Sequence, residues 1–232
     1  MSLGKEFYRN YYIEKGIHRN SLLGNPEVVF QVLASDAGFY QALGLLRPDP
    51  LRNRVLDVGC GDGASLNDFL RVGFRSQNLY GIDFQEERII EGKRKYPSLK
   101  LFWGDATALA FDRESFDLVF ESTMFIHSVN DDVSEKIAAE MVRVTKVGGH
   151  LLLRDWRYAR RGSPVHKALS QSRIEKLFRI DRETRLCASY PGSLIPPVGR
   201  FLSRYIPSIY FAVRAALPFL VGQRITILQK LK

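Results

Sequence analysis

Asp57-Val-Gly59-Cys60-Gly61-Asp62-Gly63 closes the apolar run Arg54-Val-Leu-Asp57, and this spacing suits the holding of a ligand. A short aliphatic run that stops at closely spaced glycines predicts a buried strand turning tightly into a helix, with bare backbone open to a ligand. With Ala64 as its last position the loop also fits G-x-G-x-x-G/A, so nucleotide cofactors of more than one kind stay open on this motif alone. Acidic residues farther along narrow the choice. Asp83 ends the run Leu79-Tyr-Gly-Ile and can accept both hydroxyls of a ribose, whichever nucleotide carries it. Asp57, two residues before Gly59, would repel a pyrophosphate but suits a ligand bearing a sulfonium and an α-ammonium. Asp105 can accept a hydrogen bond from an adenine amino group.

These residues need elements to bring them together. Apolar runs predict strands at Arg54 to Asp57, Leu79 to Asp83, Leu99 to Phe102, Phe116 to Glu121 and His150 to Arg154. Helical segments fall between them, near Ala64 to Val72, Glu86 to Lys95 and Asp132 to Val144. Such alternation predicts an α/β, Rossmann-like, doubly wound and mostly parallel sheet, with ligands at the carboxyl ends of its strands. Residues 5–46 read as an N-terminal helical segment, with Asn25-Pro26 as a helix start. After Arg154 the pattern loosens: residues 166–179 read as helix, Thr184 to Ser189 as strand and Arg224 to Lys230 as a half-buried last strand. Leu194 to Leu220 is apolar, broken by prolines and by Arg200, Arg204 and Arg214, and reads as a helical insertion capping the sheet end. The expected sheet has seven strands in one domain over 1–232: the helical segment at 5–46, a cofactor-binding core at 54–154 and acceptor-side elements at 155–232.

The 232 residues are ordinary in their apolar and charged fractions and fit one core. Cys60 and Cys187 are the only cysteines, so neither a disulfide framework nor a zinc site is supported, and no metal is expected. A reducing cytoplasm and the lack of a signal-peptide pattern go together. The net charge of +9 divides into +12 from Arg154 onward and −3 before it. Anionic partners suit this basic third: phosphorylated glycan intermediates, nucleic acid or anionic lipid headgroups at a peripheral membrane contact.

With these residues in view, the chain resembles the class I S-adenosylmethionine-dependent methyltransferases. The matching stretches are Val55 to Gly63, Gly81-Ile-Asp-Phe84, Gly104-Asp-Ala106, Ser115-Phe-Asp-Leu-Val119 and Lys146-Val-Gly-Gly-His150, in family order and spacing; Val147 stands where the family commonly has proline. The resemblance implies that Gly59, Cys60 and Gly61 meet the methionine part of the cofactor while Asp57 holds its amino end. It further implies Asp83 on the ribose, Phe84 against the adenine, Asp105 with Ala106 at the adenine edge, and Glu121 and His127 on the methyl side. Gly16-Ile-His-Arg19, Asn25 to Gln31, Arg154-Asp-Trp156, Leu177-Phe178, Ile195 to Arg200 and Leu217-Pro-Phe219 also look like bacterial methyltransferases of surface-polysaccharide gene clusters, implying a glycan or lipid-linked glycan acceptor.

Methyl transfer is an in-line displacement, and a base helps only when the acceptor is a hydroxyl or another protonated nucleophile. His127, by its type and its place after the fourth strand, is the first candidate for O-methylation, and Asp155 after the fifth is the second. Tyr11, Tyr12, His18 and Arg19 can close the acceptor pocket, His166 can meet a phosphate, and Cys60 reads as a small filler of the loop. The leading expectation is methylation of a small-molecule or glycan-derived acceptor, with S-adenosylhomocysteine as product. Two alternatives stand beside it: a nucleic-acid methyltransferase, favoured by the basic third but lacking an Asn/Asp-Pro-Pro-Tyr/Phe motif, and a cofactor-binding protein without catalysis.

Overall fold

The computed structural model describes residues 22–159 and 162–232. Tyr11, Tyr12, His18 and Arg19 lie outside the described residues. The chain enters at Asn25, whose side chain accepts from the Glu27 amide at 3.1 Å while Pro26 opens a 3-10 turn, and helix α1 (Val29–Leu46) follows. The alternating core is β1 (Val55–Val58), α2 (Ala64–Arg71), β2 (Leu79–Asp83), α3 (Glu86–Lys95), β3 (Lys100–Trp103), β4 (Phe116–Ser122), α4 (Asp131–Val144) and β5 (Thr145–Trp156). Then come α5 (Gln171–Leu177), β6 (Thr184–Pro191), α6 (Pro196–Tyr205), α7 (Tyr210–Ala216) and β7 (Gln223–Lys230).

The seven strands lie in the order β3-β2-β1-β4-β5-β7-β6. Pairing is parallel from β3 to β5, and β7 runs antiparallel between β5 and β6. The winding reverses between β1 and β4, which makes their carboxyl ends the switch point where open sheets bind ligands. β1 is buried along its whole length, as a central strand covered on both faces must be. Alternation along β5 sends Leu151 and Leu153 to the face covered by α4 and α5, with Ile137, Met141 and Phe178. Leu152 goes to the opposite face, where Phe39 of α1 and Phe69 of α2 meet edge-to-face at 5.1 Å and both abut Phe120.

α1 is 18 residues long and apolar, yet it is a core helix in this fold: Ala34, Phe39 and Ala42 are fully buried. The expected cap between β6 and β7 forms as α6 and α7. It is fastened to α1 through Tyr210, which is fully buried and whose hydroxyl donates to Gln31 Oε1 and accepts from the Leu194 amide. Two expectations shift. The helix expected at 166–179 is confined to Gln171–Leu177, because the Lys167 and Leu169 amides are committed to the Ile126 and Trp156 carbonyls and Ser170 then caps the helix. β5 starts five residues before His150, since Thr145 already pairs with Phe116 ahead of a bulge in the β4–β5 register.

Candidate active site

Gly59, Gly61 and Gly63 carry φ of +75°, +58° and +81°, and these left-handed steps turn the chain from β1 into α2. A Cβ on Gly59 would press on Met124 Cγ at 3.0 Å, and one on Gly61 would collide with the Arg88 guanidinium. The turn is bound to β2: the Gly59 and Cys60 amides donate to the Ile82 carbonyl, and the Gly61 amide donates to Asp83 Oδ2 at 2.8 Å. Asp83 Oδ1 accepts from the Gln85 amide, also at 2.8 Å. Burial raises the Asp83 pKa, opposed by these two N–H groups. Cys60 fills the space opposite Gly81, and burial pushes its thiol well up, so it acts as packing.

Asp57 is the most unusual group in the loop. It is buried, neither carboxylate oxygen has a hydrogen-bond partner, and burial pushes its pKa up to about 8 despite the pull of Arg154. An unsatisfied buried carboxylate beside bare glycine backbone fits a cationic ligand group and opposes a pyrophosphate. On the β2 and β3 side, Phe84 is partly exposed and its carbonyl accepts from Trp103 Nε1 at 3.1 Å. Asp105 holds its own turn, Oδ1 accepting from the Thr107 amide and hydroxyl, while Ala106 packs against the core.

Glu121 and Asp155 end β4 and β5 on the face covered by α4 and α5. Both are buried. Glu121 Oε2 accepts from the Met124 amide at 3.0 Å, while Oε1 has no partner. Asp155 Oδ2 accepts from the Ile126 amide and Oδ1 from the Trp156 amide. Burial raises both pKa values, and the nearby Asp155 raises that of Glu121 further, so the pair retains a proton where an ordinary pair would be fully ionised. Between them the two side chains anchor a turn that starts at Thr123, a non-glycine residue at φ +57°. His127 sits in this turn, its ring 5.0 Å from that of His166. Burial and His166 pull the His127 pKa down to about 3, so its imidazole is neutral. His166 itself contacts the Ser163 hydroxyl through Nδ1 at 2.7 Å.

The structure therefore brings Asp57, Gly59, Cys60, Gly61, Asp83, Phe84, Glu121, His127 and Asp155 to one rim of the sheet, with Asp105 and Ala106 beyond β3. Two arginines that organise this rim had no site role in the sequence reading. Arg154, buried on the opposite face of β5 from Asp155, donates to Ser122 Oγ and Ser65 Oγ, pairs with Asp68 and stacks between Phe39 and Phe120. Arg173 of α5 donates to the carbonyls of Phe125, Lys167 and Ser128 and to Ser134 Oγ, clamping the His127 turn. A charged residue inside an otherwise aliphatic run was the one signal for Arg154; nothing local marks Arg173.

Residues 55–149 match a protein family described as a methyltransferase domain. The demethylmenaquinone methyltransferase of Renibacterium salmoninarum is 39% identical over 103 residues, 44% of this chain and 41% of that protein. A 2-methyl-6-phytyl-1,4-hydroquinone methyltransferase of Synechocystis sp. is 33% identical over 153 residues, 63% of this chain and 46% of the relative. The chain thus matches less than half the length of either curated relative. Among solved structures, phosphoethanolamine N-methyltransferase 1 of Haemonchus contortus, in complex with phosphoethanolamine and S-adenosylhomocysteine, has a TM-score of 0.66 at 18% identity. That match covers 98% of this chain and 48% of the other, and it shows a shared fold. Over residues 55–149, then, the chain is similar to methyltransferase domains.

Proposed function

We propose that the chain transfers the methyl group of S-adenosylmethionine to a hydroxyl of a small-molecule acceptor with an apolar part, lipid-linked glycans included. The observation that carries this reading is Asp57, a buried carboxylate with both oxygens unpartnered beside three glycines of positive φ. The bound cofactor supplies a methyl group on a sulfonium, an electrophile with a good leaving group. In this reading Asp57 and the 59–61 backbone hold the amino-acid end, Asp83 the ribose, Phe84 the adenine face, and Asp105 with Ala106 the adenine edge. Asp155, electrostatically coupled to Glu121, takes the acceptor proton, and neutral His127 orients the acceptor hydroxyl by hydrogen bonding. Alignment and exclusion of water supply most of the acceleration.

An apolar part in the acceptor is supported by the phytyl group named for the Synechocystis relative and by exposed Phe201, Tyr205 and Phe219 on the cap. Those rings, with the basic charge of this region, also support work at a membrane surface. Calorimetry with S-adenosylmethionine, S-adenosylhomocysteine and NAD, followed by methyl-transfer assays on quinols, lipid-linked sugars and RNA, tests the reading. NAD binding with no response to the other two ligands would sink it; methylation confined to RNA would move the acceptor to nucleic acid.

A further inference from the structure

Asp155 and Arg224 face each other across the antiparallel β5–β7 pairing, at the same end of the sheet as the glycine loop. A cavity of about 80 Å³ lies there, lined among others by Asp155, Arg157, Leu169, Gln171, Ile174 and Arg224. It has the volume of about two to three waters, enough for one compact polar group. The two arginines share it without a counter-ion: among the described residues no carboxylate lies within 4.0 Å of either guanidinium. Asp155 does not fill that role, because its oxygens are turned to the Ile126 and Trp156 amides. Arg224 Nε is buried and has no acceptor. Arg157 is pinned in place by donating to the carbonyls of Val221 and Pro218 at 2.6 Å each. Two adjacent cations and an orphaned donor around a small cavity are what a compact anion would satisfy.

The surroundings say what the anion is attached to. Arg157 grips the same segment that exposes Leu217 and Phe219, and the Tyr158 hydroxyl donates to the Phe219 carbonyl, so an apolar surface begins where the cavity's cations end. We propose that Arg224 and Arg157, with Gln171 beside them, hold the anionic group of the acceptor, and that the acceptor is an amphiphile with a phosphate or carboxylate on an apolar body lying along Leu217 and Phe219. Its place as the acceptor rests on the methyl-transfer reading; the anion site itself does not.

Calorimetry with dodecyl phosphate, dodecanoate and dodecanol, below micelle-forming concentrations, tests it. The dodecyl anions bind at least about tenfold more tightly than dodecanol, and their affinity falls with added salt. Arg224→Gln loses about tenfold or more of that affinity, Arg224→Lys keeps most of it, and both bind S-adenosylmethionine like the wild type. The stronger of the two anions identifies the headgroup. Equal binding of dodecanol and dodecyl phosphate overturns the proposal, as does wild-type binding that ignores salt, a readout that stands even if Arg224→Gln does not fold. Binding of dodecyl phosphate without any binding of S-adenosylmethionine leaves the anion site standing and removes the methyl-transfer reading.

Discussion

Arg154 Nη1 lies 3.2 Å from Asp68 Oδ2, and with Asp36 Oδ1 at 3.9 Å the same guanidinium ties β5 to α1 and α2, which share one face of the sheet. Because the arginine is buried, its removal strands two acidic groups and uncovers the rings it stacks on. Arg154→Met is therefore expected to cost about 3–5 kcal/mol in urea unfolding. Asp36→Asn costs less, since burial already raises the Asp36 pKa and weakens its claim to the charge. Equal stability of Arg154→Met and wild type would show that the network contributes nothing.

Asp57 makes both stability and cofactor affinity depend on pH, in opposite senses. Its pKa is about 8 in the fold against an ordinary 3.8, so between those values the folded chain holds a proton that the unfolded chain has released. Stability without ligand thus falls as pH rises from about 4 to about 8. A ligand ammonium selects the ionised form and expels that proton, so affinity for S-adenosylmethionine climbs by up to about tenfold per pH unit toward pH 8. Calorimetry near pH 6.5 in buffers of different ionisation enthalpy should register about one proton released, and none for Asp57→Asn. Affinity that stays level across that range would contradict the assignment.

Asp83 holds the Gly61 amide and, in the proposed function, also presents a carboxylate to a ribose. Asp83→Ala removes both, and the expected loss is about 1–3 kcal/mol of cofactor binding free energy by calorimetry. Asp83→Asn keeps an acceptor for Gly61 and recovers part of it. Undiminished affinity in both variants would mean that the end of β2 does not touch the cofactor.

The acid–base work is assigned to the carboxylate pair. With its pKa near 3, His127 is neutral around pH 7, and the rate profile there should carry no imidazole inflection. The profile instead rises with pH as the Glu121–Asp155 pair loses its proton. Asp155→Asn is expected to abolish that rise and to lower kcat by about 10²-fold or more, with cofactor affinity little changed. His127→Ala lowers kcat and raises the acceptor KM without moving the inflection. An inflection that disappears with His127→Ala would return the base role to the histidine.

The fold was most legible where local chemistry sets the boundary. β2 and α3 run from Leu79 to Asp83 and from Glu86 to Lys95 as read, because Pro97 stops the helix and the run of apolar residues stops at Asp83. The residues of the candidate site were placed at strand ends by the same signals: glycines and acids there announce themselves by type. Arg154 and Arg173 did not, since their partners come from distant stretches of chain; Ser65 is 89 residues from Arg154 and Phe125 is 48 from Arg173. The His127 pKa was equally hidden, because desolvation belongs to the packed turn and not to the residue. Lys167 and Leu169 look helical by pattern, and only long-range backbone pairing withdraws them from α5.

β7 lies between β5 and β6, two strands that precede it in the chain. Until residues 223–230 have been made, β5 offers an unpaired edge and β6 has no neighbour, so this half of the sheet cannot close before them. Pairings of such long sequence separation are slow to close, and open edges in the meantime invite association. The strands that carry the glycine loop are therefore expected to pair before the strands beyond β5.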